Sequence, residues 1–98
     1  MNRREELHKL AQEISEILKK DYKVKRVFLI GSVVKGYVHD RSDIDLVVEG
    51  LAQEFYIKAL TQIYDILPPA VEFNLIPFEN AFETLREKTL REGMMLYG

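Results

Sequence analysis

Val27-Phe28-Leu29-Ile30 is a run of four apolar residues closed by Gly31, too short for a helix and without a polar position to leave in water. Such a run reads as the later part of a strand from Val24 to Ile30, central in a sheet that other elements cover. Two more strands fit around it. One runs from about Asp43 to Val48 and is closed by Glu49-Gly50; the other runs from about Ala70 to Ile76 and is stopped by Pro77. Between and around the strands the period changes. Leu7, Leu10, Ala11, Ile14, Ile17 and Leu18 recur at spacings of three and four, which predicts an amphipathic helix from Arg3 to Lys20. Phe55, Tyr56, Ala59, Leu60, Ile63, Tyr64 and Leu67 predict a second helix from Leu51 to Leu67, ended by Pro68-Pro69. A last helix is expected from Glu79 to Glu92, with Phe82 and Leu85 facing inward and Gly93 as its cap. The alternation assigns the α/β class, a small sheet flanked by helices, and leaves strand order open.

Length and charge narrow the function classes. A chain of 98 residues, 47% hydrophobic, supports one core, so residues 1–98 are read as a single domain. With no cysteine, neither disulfides nor a thiolate zinc site hold it. No apolar stretch approaches the roughly 20 residues of a membrane span, and the charged start does not resemble a signal peptide, so a cytoplasmic protein is expected. A formal net charge of −2 gives no electrostatic reason to expect binding to long DNA or RNA.

The chemistry concentrates in one constellation: Gly31-Ser32, a spacer of ten residues, then Asp43-Ile44-Asp45. Side chains alternate along a strand, so Asp43 and Asp45 project from one face with their charges close together. Two adjacent carboxylates repel, and a hard cation such as Mg²⁺ relieves them. Gly31 lets backbone approach a ligand at a strand end, and Ser32 opens a turn whose free N–H groups suit a phosphate. Lys35, one turn later, adds a positive charge, and Ser42 is placed to orient the carboxylates by hydrogen bonding. Taken alone, Gly31-Ser32 is an ordinary turn with a helix cap and Lys35 an ordinary solvated lysine. Their weight comes from the neighbouring acids.

These residues resemble the DNA-polymerase-β-like nucleotidyltransferase superfamily, and in particular the minimal nucleotidyltransferases of bacteria and archaea. The resemblance runs nearly end to end, through Val27-Phe28-Leu29-Ile30-Gly31-Ser32, Ser42-Asp43-Ile44-Asp45-Leu46, and the closing Arg91-Glu92-Gly93 to Leu96-Tyr97. It implies an α+β fold with a small mixed sheet flanked by helices. It further implies that Asp43 and Asp45 are catalytic metal ligands and that a later acid, Glu72, completes the set. Gly31, Ser32, Lys35 and Ser42 would bind the nucleotide. Lys35 stands where the family usually has Arg, and Glu72 where it often has Asp. Glu79 is the other acid in reach, and its position near a helix start accounts for it as a cap.

What the resemblance implies for activity is transfer of a nucleoside monophosphate, AMP from ATP, with two Mg²⁺ ions or with Mn²⁺. Such chains are commonly paired with a small HEPN-domain toxin, which implies a toxin tyrosine as acceptor and an antitoxin role. Two other readings stand beside this one: a binding module that neutralises a partner without catalysis, and nucleotidyl transfer to a small molecule. The apolar tail Met94 to Tyr97 either completes the core or meets a partner, and oligomer formation is compatible with both.

Overall fold

A computed structural model gives the fold and describes residues 3–31 and 43–98. Helix α1 (Arg3–Tyr22) leads into strand β1 (Arg26–Ile30), and strand β2 (Asp43–Glu49) runs antiparallel to it. A 3-10 turn at Gln53–Phe55 precedes helix α2 (Tyr56–Ile66), after which strand β3 (Glu72–Pro77) pairs parallel to β2. A second 3-10 turn, Phe78–Asn80, then helix α3 (Glu83–Glu92) and strand β4 (Met94–Tyr97) complete the chain. The strands form one mixed sheet in the order β3-β2-β1-β4, with β4 antiparallel to β1. The apolar run in β1 does lie inside the sheet, as its composition requires.

Register decides which residues each face carries. Val27, Leu29, Ile44, Leu46, Val48, Phe73 and Leu75 point one way and form the main core with Leu7, Ala11, Ile14 and Leu18 of α1 and Ala59 and Ile63 of α2. Phe28 and Val47 face the other way, paired across β1 and β2, and are also buried. On that second face the Arg26 guanidinium lies 5.3 Å from the centroid of the Phe28 ring and 5.5 Å from that of Phe78. The same guanidinium grips Glu49, its cross-strand partner, through Nε–Oε1 at 2.7 Å and Nη2–Oε2 at 3.0 Å. The ion pair holds the Glu49 carboxyl below its usual range and raises Arg26 above its own, chiefly through the shared hydrogen bonds.

Several expectations shift. The second helix begins at Tyr56 and not at Leu51, because the segment before it is taken by the 3-10 turn. The last helix begins at Glu83, and Phe82, expected inside, is its N-cap and 85% exposed. Glu79 caps no helix; its Oε2 accepts the Gly50 N–H at 2.8 Å, tying the end of β2 to the turn after β3. Gly93 does end α3, but in extended geometry, φ −70 and ψ 151, and not in the left-handed conformation typical of a glycine cap. Space is the reason for glycine there: an added Cβ would lie 2.5 Å from the Thr89 carbonyl oxygen.

The apolar tail resolves as the edge strand β4, whose Leu96 and Tyr97 pack on the core while Met94 and Met95 remain exposed. At the opposite edge, the Tyr64 and Tyr56 hydroxyls donate to the carbonyls of Phe73 and Leu75 in β3, at 3.0 and 2.7 Å. Those carbonyls are thereby withheld from a further strand. Among the described residues no helix is long and apolar enough to cross a membrane.

Candidate active site

The acids occupy the first residues of two parallel strands. Asp43 and Asp45 alternate along β2 with the buried Ile44 and Leu46, so they share the face opposite the main core. Parallel pairing sets Glu72 opposite Asp43 and Asn74 opposite Asp45. Paired residues of neighbouring strands project to the same side, and the strands are about 4.8 Å apart. Glu72, on the outer strand, therefore rises beside Asp43 on the face that carries Asp45, and it is exposed while the two aspartates are half-buried.

Gly31 joins the two halves of the sequence constellation. Its φ of +85° lies in the left-handed region, which a side chain resists. A Cβ placed on it would also fall 2.8 Å from Asp45 Oδ2. On the other oxygen, Asn74 Nδ2 donates to Asp45 Oδ1 at 2.7 Å. The Asp45 carboxylate thus lies between bare backbone and an amide. Ser32, Lys35 and Ser42, expected to bind the nucleotide, lie outside the described residues.

A hollow of about 100 Å³ opens at Gly31, lined also by Ile30, Leu85, Lys88, Thr89, Glu92 and Gly93. Helix α3 therefore sits over the end of β1 next to the acids. A larger hollow, about 560 Å³, lies at the other end of β2 and β3 among Leu51, Tyr56, Ile57, Pro77 and Glu79. Its carboxylate, Glu79, is already engaged by the Gly50 N–H, so size alone does not make it the better candidate.

The profile of the family described as Polymerase beta, Nucleotidyltransferase matches residues 12–98. The chain belongs to that family. Among solved structures, a toxin-antitoxin determined with AMP-PNP superposes with a TM-score of 0.72 at 23% identity, covering 89% of this chain and 73% of that one. The MntA-HepT toxin-antitoxin gives 0.67 at 19% identity, covering 93% and 72%. A protein of Sulfolobus solfataricus assigned as a nucleotidyltransferase gives 0.55 at 18%, covering 94% and 80%. At these identities the likeness is one of fold. No curated protein sequence matches significantly.

For a polymerase beta nucleotidyltransferase the donor set is of the right kind: carboxylate oxygens on one open face suit a hard divalent ion. Among the described residues, however, no group of three or more His, Cys, Asp or Glu is gathered closely enough to hold a metal. In chemistry the residues fit the ion; in placement, the backbone register sets Glu72 opposite Asp43, with Asp45 two residues along on the same face.

Two residues at the site carried no signal as isolated letters. Asn74 follows Glu72 by two, and the period of a strand would have put it on the same face. Lys88 reaches the hollow beside Gly31 only because α3 folds back over β1, which periodicity does not reveal.

Proposed function

We propose that this chain is a nucleotidyltransferase antitoxin that moves AMP from ATP onto a hydroxyl of a partner protein, a tyrosine of a HEPN-type toxin. The observation that carries the reading is the register of β2 with β3, which sets Glu72 opposite Asp43 on the face where Asp45 meets Gly31. Asp43, Asp45 and Glu72 would hold divalent ions, Mg²⁺ or Mn²⁺, which when bound neutralise the triphosphate and lower the barrier to attack. Gly31, together with Ser32, Lys35 and Ser42 as the family resemblance implies, would bind the phosphates. The tyrosine oxygen attacks the α-phosphorus, its proton passes to a nearby carboxylate or to water, and pyrophosphate leaves. The toxin-antitoxin relatives, one determined with AMP-PNP, support both the partner class and the donor. ATP and partner would be met in the cytoplasm, and residues 1–98 would act as one domain.

Intact mass spectrometry of the chain with ATP, Mg²⁺ and its partner protein tests this. AMP units should appear on the partner and vanish in the Asp43→Ala, Asp45→Ala double variant. A second reading, a module that neutralises its partner by contact alone, is favoured by the ungathered carboxylates. Complex formation without a mass change at any metal or nucleotide concentration would establish it and remove the first.

A further inference from the structure

Asn74 is an unusual choice for its place. Asparagine is depleted in strands, where it packs poorly and competes for backbone hydrogen bonds. Here it is exposed, on the edge strand β3, so it fills no core position. Its amide donates at 2.7 Å to Asp45 Oδ1, while the other carboxylate oxygen rests against Gly31, where a Cβ would come within 2.8 Å. An exposed hydrogen bond of this kind adds little to folding, because water replaces it readily. What it does alter is the freedom of Asp45 to rotate.

From this we infer that Asn74 is a positioning residue for metal binding: it fixes the plane of the Asp45 carboxylate so that a divalent cation meets a ligand already oriented. An acid at this position would place a further negative charge beside Asp43, Asp45 and Glu72, and when ionised would have no proton to donate. A small apolar residue would leave Asp45 free to turn. The amide orients without repelling. Hydrogen-bonding partners of ligating carboxylates govern metal affinity by about 10–100-fold. The inference rests on the proposed metal role of Asp43 and Asp45, and the test separates the two.

The probe is Mn²⁺ alone, titrated into the full chain and followed by the electron paramagnetic resonance of the free ion, with Mg²⁺ as competitor. Asn74→Ala is expected to weaken Mn²⁺ binding about tenfold or more, the lower bound for such partners. Its circular dichroism and metal-free melting temperature should stay those of the parent. Asn74→Gln, which keeps the donor, should recover most of the affinity. Wild-type affinity in Asn74→Ala, or a Gln variant as weak as the Ala variant, overturns the inference. Should Asp43→Ala abolish binding while Asn74→Ala leaves it intact, only the role of Asn74 falls. Should the wild type fail to bind Mn²⁺, or Asp43→Ala leave binding unchanged, the metal site falls and this inference with it.

Discussion

Gly31→Ala is the substitution with the most closely argued outcome, because two independent costs meet at one carbon. The left-handed backbone, φ +85°, penalises any L side chain by about 1–2 kcal/mol. The new methyl would lie 2.8 Å from Asp45 Oδ2, so the carboxylate has to swing away from Asn74. That exposed hydrogen bond contributes little to folding, but turning the carboxylate off its rotamer to make room adds roughly 0.5–1.5 kcal/mol. Together the loss is about 2–3 kcal/mol, which in a chain of this length lowers the melting temperature by roughly 10–20 °C. Urea denaturation followed by circular dichroism measures it.

A double-mutant cycle with Asp45→Ala then separates the two causes. With the carboxylate gone, Gly31→Ala should cost only the backbone share, leaving a coupling of about 1 kcal/mol between the positions. A coupling of zero would refute the contact between Gly31 and Asp45. A total loss under about 0.5 kcal/mol would refute the strained backbone as well.

Ser15 lies fully buried on α1, and its Oγ has no hydrogen-bond partner among the described residues. Ser15→Ala removes that desolvation penalty and improves helix propensity, so stability should rise by about 1 kcal/mol, read as a higher urea midpoint. Glu49 has a depressed folded pKa, so its contribution is complete above the unfolded value, about 4.5, and fades as pH falls through the folded one. Stability curves of wild type and Glu49→Gln should therefore differ at neutral pH and begin to converge as pH falls below about 4.5; a gap that persists below the folded pKa contradicts the assignment. Phe82, 85% exposed, should tolerate Ser with a change within about 0.5 kcal/mol, whereas the inward position expected from periodicity would cost several times more.

Sequence patterns carried far where one principle acted alone. The apolar stripe of α1 and the alternation Asp43-Ile44-Asp45-Leu46 marked the faces that pack, although Leu10 and Ile17 are only half-buried and the buried Ser15 gave no signal. Patterns failed where two principles competed. Phe82 fits the inward stripe of a helix drawn from Glu79, but the extended backbone at Ala81 and Phe82 starts the helix only at Glu83 and leaves Phe82 exposed. Leu51 was drawn into α2 by its apolar character, although Gln53–Phe55 closes as a 3-10 turn. At the site, the two aspartates and Gly31 were legible as a spacing. The partnership of Asp43 with Glu72 depends on parallel register between strands separated by a whole helix, and no local signal reports that.

The second face of the sheet explains why the acids can stand at one of its ends. Toward the end of β2, Val47 and Phe28 are covered, Arg26 lies between the Phe28 and Phe78 rings, and Glu49 neutralises it. That half of the face is closed by packing and a paired charge. Toward the start of β2 and β3 the same face carries Asp43, Asp45, Glu72 and Asn74, and among the described residues α3 packs against the neighbouring end of β1. Carboxylates under a helix would be desolvated and would have to be neutralised or paired, as Glu49 is. At the strand end Ile44, Leu46, Phe73 and Leu75, alternating with the acids, anchor the strands in the core. A strand with period two thus serves stability and chemistry from opposite sides, and changing an acid on the open side should alter ion binding far more than folding.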